Sequence, residues 1–212
     1  TCALPICDDV TPKVRSQILI KPNFLSSKNQ LASSHCDAVR GAIDFLLSIP
    51  NPPEEIIIAE GGNEEFSGES FKNFGYHELS NEYPVPIRLV DLNQESNWQE
   101  TPIVLADGSE TTVKMPKTVL DAQSTLSLAI AKTHDVCVVT LALKNMIMGT
   151  IYKPDRVKMH GFNSHAERRL PDEAQVLNVN LIRLARFLSP DIAVVDGTRG
   201  LQGNGPGGED GV

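Results

Sequence analysis

Ser16–Asn23 reads SQILIKPN, and the fold is built outward from it. Ile18, Leu19 and Ile20 are apolar in succession and Pro22-Asn23 ends the run, which predicts a buried strand stopping at a turn. Ser34-His35-Cys36-Asp37 then has the form of a capping box, with the acid in the third helical position. Val39, Ala42, Ile43, Leu46 and Leu47 follow at helical spacing until Asn51-Pro52-Pro53 breaks the helix. Glu55–Ala59, EIIIA, is a second apolar run, closed by Glu60-Gly61-Gly62. Strand, helix and strand with continuously apolar strands make the βαβ unit of a parallel sheet.

The remaining segments extend this unit. Residues 64–79 read as a loop and a helix ending near Gly75, and Ile87–Asp91 as a third strand. Trp98 falls in a polar stretch read as a loop. The runs 103–106 and 111–115 flank Asp107-Gly108, a strong hairpin signal, so an antiparallel hairpin is expected inside the parallel architecture. Val119–Ala122 reads as a helical turn. Thr125–Ala131 reads as a strand that delivers Lys132-Thr133-His134 at its carboxyl end. Thr150–Pro171 is polar and poor in structural signals, and long loops of this kind are often functional. Glu173–Leu188 is an amphipathic helix carrying Val176, Leu177, Val179, Leu181, Ile182, Leu184 and Phe187. Ile192–Val195 is a last buried strand ending at Asp196-Gly197, followed by a glycine-rich tail. The expected fold is α/β, a mainly parallel sheet with helices on both faces and a β-hairpin near 103–115, in one domain spanning 1–212.

The 212 residues suffice for a sizeable core, and their 41% apolar and 22% charged composition is that of a globular protein. A net charge of −8 with no basic stripe argues against nucleic acid as a partner. No apolar run reaches the roughly 20 residues of a membrane span, and TCALPICDD lacks the form of a signal peptide. Cys2, Cys7, Cys36 and Cys137 make no metal-binding spacing. Cys2 and Cys7 can pair, but free thiols in a reducing compartment are the plainer reading, and the cytoplasm is the expected location.

Lys132–Gly149, KTHDVCVVTLALKNMIMG, concentrates the candidate chemistry. From Val136 to Met148 only Thr140, Lys144 and Asn145 are clearly polar, which predicts a buried helix with Thr140 and Lys144 on one face. A lysine so placed meets an anion, either a carboxylate of the protein or a ligand. Lys21 with Asn23, Glu60, Lys132 with His134, and Asp196 all fall at predicted strand ends. In a parallel sheet such residues share the edge where ligands bind.

Several motifs together resemble the family known as domain of unknown function 362, some members of which are fused to iron–sulfur modules. They are LIKPN at 19–23, SHCDAVRGAIDFL at 34–46, AEGG at 59–62, GYHELSNEY at 75–83, KTH with TLALKNMIMG within 132–149, and VVDGTRGLQGNGP at 194–206. The resemblance covers nearly the whole chain from Ile18. It departs at Ser34-His35-Cys36-Asp37, where the family often has Thr-His-Pro-Glu. The family's cysteine clusters are missing, so no iron–sulfur cofactor is implied. The family pattern continues past GNGP with another strand and helix, which makes this chain a short version of the pattern or part of a longer one. The fusions suggest accessory work for redox partners.

The expected function is that of an enzyme acting on a small anionic molecule bearing phosphate or carboxylate. Lys132 and Lys144 would hold the anion, unless they form structural ion pairs with Asp196 or Glu60. His134, fixed by a strand end, is the candidate general acid or base, with Asp196 orienting it. Lys21, Asn23, Asn145, Asn204 and Gly205 are candidate substrate contacts, the last two within a glycine-rich turn able to wrap an anion with backbone amides. A metal-dependent enzyme would use His134, His160, His165 and Asp196. A non-catalytic binding module would instead present an exposed apolar patch.

Overall fold

The computed structural model describes residues 5–63, 67–169, 171–203 and 205. Its strands are β1 (Gln17–Lys21), β2 (Glu55–Glu60), β3 (Ile87–Asp91), β4 (Trp98–Val104), β5 (Glu110–Pro116), β6 (Thr125–His134), β7 (Val138–Thr140) and β8 (Ile192–Leu201). The helices are α1 (Pro5–Val10), α2 (Cys36–Ser48), α3 (Ser67–Asn73), α4 (Leu79–Glu82), α5 (Lys117–Leu120), α6 (Ala142–Met148), α7 (Arg156–Met159) and α8 (Asp172–Leu188).

Five strands run parallel in the order β3-β2-β1-β6-β8. Apolar side chains leave each strand alternately, as the pleat requires. Ile18, Ile20, Ile56 and Ile58 meet Val39, Ile43 and Leu46 of α2 on one face. Leu19, Ile57 and Ala59 meet α6 and Leu177, Leu181, Leu184 and Leu188 of α8 on the other. The expected α/β fold with helices on both faces is present.

β4 and β5 form the expected antiparallel hairpin, with Gly108 at φ +84 and Asp107 Oδ1 accepting from the Ser109 amide. Trp98 begins β4 rather than lying in a loop, and its ring meets Tyr152 edge-on. The hairpin is tied to α8 by Asn180, whose side-chain amide accepts from Val104 N at 3.0 Å and donates to Val104 O at 2.9 Å. Asn180 thus sits in an apolar stripe with its polar atoms satisfied.

Several local expectations are corrected. Val136–Met148 is not one helix: β6 runs through His134, the chain reverses, β7 pairs antiparallel with Lys132–His134, and only Ala142–Met148 is helical. Lys132 pairs with Thr140 on one side and with Leu201 of β8 on the other, so β7 continues the sheet along the β1 side of β6. The reversal carries strain, because Val138 has φ +67 and Val139 N–H donates to Cys137 O at 2.7 Å, a γ-turn of the rarer hand on a β-branched residue.

The cap of α2 is His35, whose Nδ1 accepts from the Asp37 amide. Ser34 is freed to accept from Asn23 N–H and donate to Leu128 O, which ties the turn after β1 to β6. In α8, Val179, Ile182 and Phe187 face outward. β8 runs on to Leu201, and its register shifts from Ile130↔Asp196 to Lys132↔Leu201. This irregularity carries Gly197–Gly200 away from β6, and much of β8 is exposed.

Residues 150–171 contain α7 and two short 3-10 turns, Lys153–Asp155 and His165–Glu167. Cys7 is disulfide-bonded, contrary to the expectation of free thiols, while Cys36 and Cys137 are free. Among the described residues, no helix is long and apolar enough to cross a membrane.

Candidate functional site

The carboxyl ends of β1, β2 and β6 meet over a buried ion pair. Lys21, the last residue of β1, pairs with Glu60, the last of β2, and both are essentially without solvent contact. Glu60 also accepts from the amides of Phe24 at 2.9 Å and Gly61 at 3.1 Å. Lys21 donates to Pro22 O at 2.6 Å and to Asn145 Oδ1 at 3.1 Å. Burial pulls Lys21 below the usual lysine range, against the pull of Glu60. Asn145 also accepts from Asn23 Nδ2 and donates to Lys21 O and Ser127 Oγ, binding α6 to the strand ends. The Oδ1 of Asn23 is buried and has no hydrogen-bond partner among the described residues.

Two glycines let the chains close over this pair. Gly61 N–H donates to Gly149 O at 3.0 Å. A Cβ on Gly149 would lie 2.7 Å from Lys21 Cε and 2.9 Å from Asn145 O, neither of which can move without opening the buried network. Gly149→Ala is therefore expected to lower stability by about 1–3 kcal/mol. Gly41→Ala, on the exposed side of α2 with nothing within 4 Å, is expected to raise it by roughly 0.5–1 kcal/mol. Urea unfolding of the two variants would then move in opposite directions, and a neutral Gly149→Ala would refute the packing argument.

Above the ion pair lies a cavity of about 280 Å³. Asn23, Glu60, Lys132, His134, Asp135, Thr140, Lys144, Asn145, Arg156, His160, His165 and Arg168 contribute to its lining. Lys132 and His134 alternate with Thr133 along β6 and so project to one side. Lys132 is 5% exposed, and its amine donates to Ala32 O at 3.3 Å. Burial, reinforced by the charge of Lys144, lowers its pKa to about 7. Lys144, in the first turn of α6, reaches Thr140 Oγ1 at 3.5 Å. The two meet as expected, across the β7–α6 junction rather than along one helix. Burial lowers the pKa of Lys144 as well.

His134 Nδ1 lies 3.0 Å from the Val136 amide, which needs a lone pair, and 2.9 Å from Asp135 Oδ1, which would need a proton. Burial and the nearby Lys144 charge push the pKa of His134 down to about 4. The amide's demand prevails, Asp135 remains open to solvent, and Nε2 carries the proton of the neutral ring. His160 is also pushed down to about 4, by burial and then by the Arg168 charge. Its Nδ1 stands 2.6 Å from Glu173 Oε1, a carboxylate that pulls the other way. Glu173 Oε1 also accepts from Arg168 Nε at 2.7 Å.

Arg156 donates to Gly61 O and Ile151 O, without a carboxylate partner among the described residues. His165 is exposed at the rim, with Nδ1 3.3 Å from Arg168 Nη1.

Of the residues singled out in the sequence, Asn23, Lys132, His134, Lys144, Asn145, His160 and His165 line this cavity, and Lys21 lies beneath it. Asp196 does not join them. It lines a second cavity with His35, Asp37 and Arg199, and its Oδ1 accepts from Thr198 N, so the carboxylate beside His134 is Asp135. Neither Lys132 nor Lys144 is ion-paired with Asp196 or Glu60; the lysine that pairs with Glu60 is Lys21. Among the described residues, no three His, Cys, Asp or Glu side chains lie close enough together to hold a metal, so His134, His160, His165 and Asp196 form no such group. Gly205 packs against the Thr133 backbone rather than lining the cavity, and Asn204 lies outside the described residues. Arg156 and Arg168 were not anticipated individually. Their signal was the interrupted basic cluster from Lys153 to Arg169.

Comparison with curated proteins gave no sequence match. Among solved structures, the chain is similar in fold to the lactate racemase apoprotein from Thermoanaerobacterium thermosaccharolyticum. The TM-score is 0.54 at 12% identity, over 87% of this chain and 46% of that one. The chain thus spans about half the length of that protein. The sequence pattern of the family described as Domain of unknown function (DUF362) matches residues 18–212, nearly the whole chain, and the protein belongs to that family.

Proposed function

We propose that the cavity binds a small compound bearing a carboxylate or phosphate, and that His134 exchanges a proton with it. The observation that carries this reading is the charge of the lining. Among the described residues, four cationic side chains, Lys132, Lys144, Arg156 and Arg168, line the cavity with two carboxylates, Glu60 and Asp135. Glu60 is already committed to Lys21, and Arg168 to Glu173. An anion entering this space would relieve the mutual repulsion of the lysines, in surroundings where electrostatic contacts are stronger than in water. His134 presents Nε2–H as a neutral donor to a carbonyl or developing oxyanion.

The test is calorimetric titration with phosphate and with lactate, the latter chosen because the structural neighbour is a lactate racemase. Lys144→Ala is expected to weaken binding tenfold or more, equivalent to about 1.4 kcal/mol, with the circular dichroism spectrum unchanged. Failure of both anions to bind, or equal affinity in the variant, would defeat the reading. A second reading, a docking module, draws on Val138, Val139 and Leu141. They are exposed beside Thr140 of the cavity wall, Val138 by 75%. Under that reading the variant would retain its partner and no small anion would bind.

A further inference from the structure

We infer that Lys132 is an amine nucleophile that forms an imine with a 2-oxo acid, a proposal that rests on the anion site described above and names its substrate class. The cations of the cavity are not equivalent. Lys21 is neutralised by Glu60, Arg168 is paired with Glu173, and Arg156 is held by two carbonyl oxygens. Lys132 lines the cavity, is almost wholly buried, and has no ion pair among the described residues. Among the described residues its amine makes one hydrogen bond, to Ala32 O at 3.3 Å, which leaves its other bonding directions open to a ligand. A buried lysine beside another cation loses its proton readily, and the neutral amine attacks carbonyl carbon. A pKa of about 7 leaves a large neutral fraction at physiological pH.

The rest of the lining fits the same substrate. Lys144, whose charge Lys132 feels, is placed to hold a carboxylate adjacent to the attacked carbon. His134 follows two residues along β6, about 7 Å away at the usual strand rise, with Nε2–H available to the carbonyl oxygen. In the first step the Lys132 nitrogen bonds to the carbonyl carbon, the C=O π pair passes to oxygen, and that oxygen takes up one of the two amine protons by way of solvent. The nitrogen lone pair then expels the hydroxyl group, which takes the second amine proton and departs as water, leaving C=N. Amine and oxo acid give imine and water, and neither oxidant nor reductant is consumed.

The test uses the whole chain with pyruvate and sodium borohydride, which reduces an imine to a stable secondary amine. Intact mass is expected to rise by the mass of the acid less one oxygen atom. Peptide mapping should place the adduct on Lys132, and excess lactate should suppress it. Trapping should increase as pH rises through about 7, because the amine must be neutral to attack, and Lys132→Met should abolish it. Mapping on the wild-type protein decides the matter even where that variant folds poorly. Lactate binding without an adduct at Lys132 would overturn the imine and leave the anion site standing. Equal trapping of acetone, which has no carboxylate, would overturn the oxo-acid assignment. Absence of both lactate binding and trapping would remove both.

Discussion

Lys21→Met is expected to destabilise the protein by about 3–5 kcal/mol, since removal of one partner strands the other charge in the interior. Glu60 is 1% exposed and cannot turn to solvent, although two backbone amides solvate it in part. Arg156 lies near enough to feel Glu60, which places the effect toward the lower end of that range. Glu60→Gln is the complementary change and leaves a buried lysine able to shed its proton, so its effect should be smaller. Joining the two changes removes both charges, and the double variant should be more stable than Lys21→Met alone. A double-mutant cycle by urea unfolding checks this. Strict additivity of the single changes would show that the pair contributes no coupling.

The second large effect is acid destabilisation from the cavity histidines. His134 and His160 have pKa values of about 4 in the folded chain, against about 6.5 in an unfolded one. Between those values the unfolded chain binds protons that the folded chain refuses. Their contribution is therefore full above pH 6.5 and is lost as pH falls toward 4. At 1.36 kcal/mol per pH unit, lowering the pH from 6.5 to 5 costs about 2 kcal/mol per histidine. Both side chains are about one-tenth exposed, so solvent screening is modest. Urea midpoints across this range should fall steeply in the native protein. A His134→Gln/His160→Gln double variant should be nearly flat between pH 5 and 6.5, and an unchanged slope in that variant would assign the acid lability elsewhere.

The sheet was legible because its central strands, β1, β2 and β6, are buried on both faces. The Ile18–Ile20 and Ile56–Ile58 runs have no amphipathic ambiguity, and turn residues close each one. That Asn23, Lys132 and His134 would gather at one edge of the sheet was legible for the same reason, since a strand end fixes its own position. Val136–Leu141 was misread because a short apolar run looks alike as strand or buried helix. Only pairing with β6, a contact decided in three dimensions, separates β7 from α6. Asp196 was misplaced because β8 runs on past it to Leu201, so it pairs with Ile130 within the sheet instead of ending a strand, and it lines the second cavity. Arg156 and Arg168 arrive on a segment that folds back over the strand ends, and no periodicity encodes such a return.

The cavity's two walls differ in what evolution can do with them. Lys132 and His134 belong to β6, which is paired on both sides, so a one-residue insertion there would turn both side chains out of the cavity. Arg156, His160, His165 and Arg168 hang on short helical turns between α6 and α8, where insertions leave the sheet undisturbed. Within the family, divergence in ligand preference should therefore be written in 150–171, while the floor laid by β1, β2 and β6 keeps its register.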